Sequence, residues 1–74
     1  MSRLAGFTYA QVVGKLRKAG FVFDRQAKGS HEIWWNPQTR ARTTLPHHPG
    51  DLAEATLRAI LREARIAVEE FLRL

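Results

Sequence analysis

Seventy-four residues predict a single domain with a thin core, because a chain this short buries only about 60% of its unfolded surface. The lack of cysteine excludes disulfides and thiolate metal sites, and no apolar run approaches the roughly 20 residues of a membrane span. The net charge of +5 is concentrated in the first 49 residues, whose only acids are Asp24 and Glu32, and this asymmetry favours a polyanionic partner.

The first predicted element is a helix from Tyr9 to Ala19. Thr8 and Gln11 have the spacing of a capping box, in which both side chains satisfy free amides at a helix start. Apolar residues then recur at helical spacing, and Gly20 is placed to end the helix. We expect one domain over residues 1–74, in which residues 1–6 form a flexible N-terminal segment. These six residues lack a signal-peptide pattern, and we expect a cytoplasmic protein.

Three short strands are predicted next, over residues 21–26, 31–35 and 42–45, from their aromatic and β-branched content. Their connections are short enough to imply an antiparallel meander. In the second strand His31, Ile33 and Trp35 share one face, and Glu32, Trp34 and Asn36 share the other. The apolar count favours burial of the Ile33 and Trp35 side, although the pattern alone does not settle which face packs on the helices. One tryptophan is expected in the core, and the other is free to stack a base or to contact a protein.

A second helix is predicted from Leu52 to Ala64, with Asp51 as its cap and an apolar stripe as its buried face. A last helical turn over residues 68–72 is anchored by Phe71. The order is therefore α-β-β-β-α. Since so small a sheet cannot bury helices on both faces, we expect an α+β sandwich, a three-stranded antiparallel sheet with both helices on one face.

Five segments occur in a specific order and spacing: residues 18–21 (KAGF), 28–31 (KGSH), 44–48 (TLPHH), 56–62 (TLRAILR) and 69–71 (EEF). Together they make the chain resemble the HicA-type toxins from about Tyr9 to Leu72. These are small mRNA interferases of type II toxin–antitoxin pairs. The resemblance implies a fold like the double-stranded-RNA-binding domain, metal-independent cleavage of mRNA without the ribosome, and inhibition by a HicB-type antitoxin.

Departures from the family pattern bear on the C-terminal helices. Relatives often have glycine where Ala55 stands, an Ala-Gly-Ile turn where this chain has residues 64–66, and serine or threonine where Ala67 stands. Without the glycine of that turn and without a capping serine or threonine at position 67, we expect the second helix to continue toward the C-terminus rather than break sharply.

Gly29, Ser30 and His31 form the candidate active-site segment. Histidine can take and return a proton at cellular pH. RNA carries its own nucleophile, the 2′-hydroxyl, beside each phosphorus, so cleavage needs no metal-bound water. The resemblance assigns the catalytic role to His31.

Cationic groups and backbone amides near this histidine are candidates for binding RNA phosphates. Lys28, and also Arg40 or Arg42, have the charge to stabilise a developing anion. The amides of Gly29 and Ser30 can form an anion-binding concavity, because glycine tolerates the positive φ of such a turn. The full candidate set is Arg25, Lys28, Gly29, Ser30, Arg40, Arg42 and His48, the last because relatives usually have histidine there.

No metal or cofactor is predicted. His47 and His48 are adjacent and poorly disposed for shared chelation, and no Asp or Glu lies at ligand spacing. Two alternatives to the ribonuclease stay open from the residues. One is a non-catalytic RNA-binding module that recognises duplex RNA by shape and phosphate contacts. The other is a protein-interaction unit whose basic face docks an acidic partner. The sequence predicts neither cleavage specificity nor oligomeric state.

Overall fold

Residues 3–74, the part of the chain that the computed structural model describes, form helices and strands in the order α-β-β-β-α-α. The helices are α1 (Tyr9–Lys18), α2 (Glu54–Ala64) and α3 (Val68–Arg73), and the strands are β1 (Val22–Gln26), β2 (His31–Trp35) and β3 (Arg42–Pro46). The strands pair antiparallel in the order β1-β2-β3, so β1 and β3 are the edges. The predicted α+β class and meander are confirmed. Within the described residues, no helix is long and apolar enough to cross a membrane.

The predicted capping box starts α1. Thr8 Oγ1 accepts a hydrogen bond from the Gln11 amide at 3.3 Å, and the Thr8 amide donates to Gln11 Oε1 at 2.9 Å. The helix ends at Lys18, one residue before the predicted Ala19, and Gly20 follows with a φ of 99°, the left-handed conformation of a Schellman motif. The Phe21 amide then donates back to the Leu16 carbonyl at 2.9 Å. Local sequence signals therefore set both ends of α1.

The described part of the N-terminal segment, residues 3–6, contacts the rest of the domain. Leu4 is fully buried in the core. Arg3 forms an ion pair with Glu69 of α3. Burial of a leucine side chain contributes roughly 1.5–3 kcal/mol, which opposes fraying of residues 3–6. Met1 and Ser2 lie outside the described residues.

The start of α2 differs from the prediction. Its N-cap residue is Ala53, which makes no side-chain hydrogen bond, and the helix begins two residues later than expected. Asp51 is not the cap, because it pairs with Thr8 in an isolated antiparallel bridge. The Leu52 amide donates to the Phe7 carbonyl in the same junction, at 2.8 Å. This bridge ties the segments that precede α1 and α2 and takes Asp51 out of the capping position.

The helices cover one face of the sheet, which we call the inner face, and leave an open face. The inner face carries Glu32 and Trp34 of β2 and Asn36, the residue after the strand, and the open face carries His31, Ile33 and Trp35. All three inner residues are buried, and Trp34 is only 2% exposed, whereas the open residues are exposed or half-buried. The preference for burying the Ile33 and Trp35 side is therefore wrong.

Hydrogen bonds explain why polar residues lie inside. Asn36 Nδ2 donates to the Ala19 carbonyl at the end of α1 (3.2 Å), and Asn36 Oδ1 accepts from the Gln38 amide (2.9 Å). Glu32 accepts from the Tyr9 hydroxyl of α1. Burying a polar group costs little once it is hydrogen-bonded. The partners come from α1 and from a turn, so a count of apolar residues along β2 alone cannot reveal them.

Arg65 ends α2 in a left-handed conformation, with φ 61° and ψ 40°. The expectation that α2 runs on is therefore wrong. The Arg65 amide donates to the Arg62 carbonyl (3.2 Å), and the Ile66 amide donates to the Leu61 carbonyl (3.0 Å). Ile66 is buried beyond the break. These bonds and the burial of Ile66 hold the turn without a glycine, and α3 follows where the last helical turn was predicted.

Replacing Arg65 with glycine is expected to raise the free energy of unfolding by roughly 0.5–1 kcal/mol. The left-handed conformation costs a residue with a β-carbon roughly 1–2 kcal/mol, and glycine avoids this cost. Glycine also loses more conformational entropy on folding, which offsets part of the benefit. Urea denaturation measures the change. The matched control is Arg62→Gly inside α2, which is expected to lower stability by about 1 kcal/mol. A loss of stability in both variants contradicts this account of the break.

Candidate active site

His31 lies at the start of β2 on the open face and is exposed. Its Nδ1 is 3.2 Å from the Lys28 carbonyl oxygen. Because a carbonyl oxygen can only accept, this contact favours the neutral tautomer with its proton on Nδ1. The other ring nitrogen, Nε2, is then the basic one. An imidazole held in this way is able to take a proton from a bound substrate.

The β1–β2 turn positions the ring. Gly29 has a φ of 67°, and an added β-carbon would meet nothing within 4 Å, so glycine is favoured here by backbone conformation rather than by space. Gln26 Nε2 donates to the Gly29 carbonyl (3.1 Å) and to the His31 carbonyl (2.9 Å). Within residues 3–74 no hydrogen bond uses the amides of Gly29 or Ser30, so both are available to an anion. The bracing role of Gln26 was not predicted.

Arg25 and Arg42 share one carboxylate. Arg25 donates to Asp24 Oδ2 at 3.2 Å and Arg42 donates to the same oxygen at 2.6 Å. Asp24 is on β1 and Arg42 is on β3, so this carboxylate reaches across β2 over the open face. The Arg42 guanidinium also lies 5.5 Å from the centroid of the Trp35 ring. Two of the predicted RNA-binding cations are thus held together, with part of their charge compensated.

The remaining predicted contacts divide between the two ends of the sheet. Lys28 adjoins His31 in the β1–β2 turn, and His48 follows the end of β3 beside the same turn, where the His47 amide donates to the Ser30 carbonyl at 2.9 Å. Arg40 lies in the β2–β3 connection at the opposite end, about 13 Å away by strand rise. The structure therefore groups Lys28 and His48 near His31 and separates Arg40 from them.

Glu32 is the centre of a hydrogen-bonded cluster that the sequence interpretation missed. Its Oε1 accepts from the Tyr9 hydroxyl (2.6 Å) and from Trp34 Nε1 (3.1 Å), and its Oε2 accepts from His47 Nδ1 (3.1 Å). The His47 ring stacks on the Tyr9 ring at a centroid distance of 3.7 Å. The available signal was the alternation that puts Glu32 on the same side as Trp34, since a carboxylate inside a core needs donors.

The cluster shifts two pKa values in opposite directions. Burial raises the pKa of Glu32, but the hydrogen bonds from Tyr9, Trp34 and His47 outweigh it, so this pKa lies below its ordinary value. Burial, and then the hydrogen bond to Glu32, raise the pKa of Tyr9 to about 12. Glu32 is therefore ionised and Tyr9 is protonated at neutral pH. In the described part of the chain, no group of three or more potential ligands could hold a metal ion.

These features define a small α+β domain with an exposed, oriented histidine beside a lysine on an uncovered, cationic sheet face. The family described as HicA toxin of bacterial toxin–antitoxin systems matches residues 9–66. The match covers most of the chain, and the chain belongs to this family. It is the toxin of a toxin–antitoxin system, and its partner is an antitoxin. No curated protein matches the sequence.

Tyr9 is expected to ionise near pH 12 in the native protein and near its ordinary value of 10 in the unfolded chain. It is the only tyrosine, so phenolate absorbance follows it directly. Its raised pKa stabilises the fold fully below pH 10, and that contribution declines as the pH rises toward 12. The Tyr9→Phe variant is expected to lose this part of the alkaline decline in unfolding free energy.

The matched control is Glu32→Gln, which keeps an acceptor for Tyr9 but removes the charge. In this variant the pKa of Tyr9 is expected to move back toward 10. If Tyr9 has the same pKa in the native protein and in the urea-unfolded protein, the proposed cluster is contradicted.

Proposed function

We propose that the protein is a metal-independent endoribonuclease that cleaves mRNA in the cytoplasm and is inhibited by a HicB-type antitoxin. The observation that supports it best is the exposed His31, whose Nδ1 is held by the Lys28 carbonyl. The ring lies on the face that the helices leave open, so a polynucleotide can approach it. Membership of the toxin family supplies the biological role, and His31 supplies the chemistry.

In the proposed reaction His31 Nε2 accepts the proton of a ribose 2′-hydroxyl. The 2′-oxygen attacks the adjacent phosphorus, the bond from phosphorus to the 5′-oxygen breaks, and the products carry a 2′,3′-cyclic phosphate and a 5′-hydroxyl. The protonated ring returns its proton to the leaving 5′-oxygen, so the histidine ends unchanged. The Lys28 carbonyl favours this cycle, because it accepts from Nδ1 in both the neutral and the charged ring.

Lys28 and the turn amides stabilise the negative charge that develops on the phosphorus oxygens. Lys28 is exposed beside His31, and the amides of Gly29 and Ser30 make no hydrogen bond in residues 3–74. Backbone donors that are fixed before the reaction stabilise a transition-state anion without reorganisation. This group would bind the phosphate that is cleaved.

Cationic side chains farther from His31 would bind the phosphates on either side of the cleaved one. Arg25 and Arg42 stand over the open face, tied by Asp24, and His48 adjoins the turn that carries His31. Arg40 lies at the far end of β2 and would contact RNA remote from the cleaved bond. Phosphate contacts of this kind fix the position of the strand and carry no sequence information of their own.

His31→Ala is expected to lower the rate of cleavage of a labelled mRNA by at least about a hundredfold, because general acid–base catalysis contributes roughly 10²–10⁴. The melting temperature is expected to stay unchanged, since the side chain is exposed. EDTA is expected to have no effect on the parent protein. His48→Ala is the matched control, and it is expected to weaken RNA binding while cleavage persists. Undiminished cleavage by the His31 variant refutes the assignment, and RNA binding without any cleavage by the parent supports the binding-module alternative.

Lys28→Gln is expected to lower the cleavage rate about tenfold and to reduce the slope of log affinity against log salt by about 1, because one phosphate contact is lost. The matched control is Lys18→Gln. Lys18 is exposed in the last turn of α1, at the opposite end of that helix from Tyr9, which contacts Glu32 beside His31. Equal effects of the two substitutions would mean that Lys28 acts only through net charge.

A further inference from the structure

The open face presents an aromatic ring among cations. Directly opposed residues of antiparallel strands share a face. The register pairs Ile33 with Arg25 of β1 and pairs Trp35 with Arg42 of β3. The open face thus has an apolar centre in β2, arginines on both edge strands, and His31 at one end.

Trp35 has no role in the core. The tryptophan that fills the core is Trp34, which is 2% exposed and donates its indole hydrogen to Glu32. Trp35 is half-buried on the open face, and its indole makes no hydrogen bond within the described residues. The Arg42 guanidinium lies 5.5 Å from the centroid of the Trp35 ring and is anchored by Asp24 at 2.6 Å. On the other side, the register places the exposed Val22 of β1 opposite Trp35.

We propose that the open face binds single-stranded RNA, with Trp35 as the platform on which one base stacks beside the Arg42 guanidinium. This inference rests on the proposed function, since it assigns the path of the substrate that reaches His31. Every base has a π-face, so an aromatic side chain accepts bases with little sequence preference, at roughly 1–3 kcal/mol per base. A duplex keeps its bases stacked inside and cannot offer one to this ring.

The geometry of β2 places the stacking ring and the proposed catalytic ring on one line. His31 and Trp35 are four residues apart on the same face of the strand, about 13 Å by strand rise. The stacked base would therefore lie a few nucleotides from the cleaved phosphate. Arg25, opposite Ile33, lies between the two and is placed for an intervening phosphate.

The test uses the His31→Ala protein as the parent, so that RNA stays intact during binding. The probes are a short oligoadenylate and the duplex that it forms with oligouridylate. The oligoadenylate is expected to quench tryptophan fluorescence in the parent. In the parent carrying Trp35→Leu the quenching is expected to vanish, because the remaining Trp34 is buried. The Kd for the oligoadenylate is expected to rise about 5- to 150-fold, the equivalent of losing one stacked base, while duplex binding stays the same.

Two further variants separate stacking from damage to the fold. Trp35→Phe keeps an aromatic ring and is expected to restore most of the affinity. Phe23→Leu is the matched control, because Phe23 is an exposed aromatic, 48% accessible, that pairs with Trp34 on the inner face. It is expected to leave binding of the oligoadenylate unchanged. Equal weakening by Phe23→Leu, or unchanged affinity in Trp35→Leu, overturns the proposal, and so does duplex binding that quenches Trp35 equally.

Failure of this inference can be told apart from failure of the proposed function. If the wild-type protein cleaves mRNA and the Trp35→Leu variant cleaves it equally well at limiting RNA, the ribonuclease function is supported and the stacking role of Trp35 is contradicted. If the wild-type protein does not cleave mRNA but the oligoadenylate quenches Trp35 as expected, RNA binding by the open face is supported and the ribonuclease function is contradicted. Binding of the antitoxin with no affinity for either RNA overturns both.

Discussion

The inward carboxylate of Glu32 is the constraint on which the site depends. A carboxylate inside a core is very costly unless it is hydrogen-bonded, and this one is bonded to α1 through Tyr9, to its own strand through Trp34, and to the end of β3 through His47. A slip of one residue in β2 would exchange its faces. His31 would then lie under the helices and the Glu32 partners would be lost. The same bonds that bury Glu32 therefore keep the neighbouring imidazole in solvent.

Much of the fold could be predicted because its signals are local. The Thr8 capping box, Gly20 and the bounds of β2 are each specified by a few adjacent residues, and they stand in the structure as predicted. The orientation of β2 could not be predicted, because the partners that make Glu32 acceptable inside are distant in sequence. The break at Arg65 has the same character, since it depends on the burial of Ile66 and not on a glycine.

In the candidate site, too, positions set by adjacent residues could be predicted from the sequence, and positions set by distant contacts could not. Lys28 and His31 are contiguous with the turn, so the sequence alone could place them together. Strand register places Arg42 opposite Trp35 on the open face, whereas Arg40 lies in the connection between β2 and β3, outside the paired residues. Charge counting also treats every arginine as free. The bridging carboxylate of Asp24 lowers the net charge that Arg25 and Arg42 offer to a phosphate, and it fixes where that charge lies.

A chain of 74 residues has one small sheet, and alternation along β2 lets that sheet serve two purposes. The inner side chains hold the helices, so changes there cost stability. The open side chains carry little of the packing, so the roles proposed for His31 and Trp35 place few demands on the core. Any partner bound to the open face would meet side chains that contribute little to the core. Along β2, neighbouring residues thus divide between side chains that stabilise the fold and side chains that the proposed function uses.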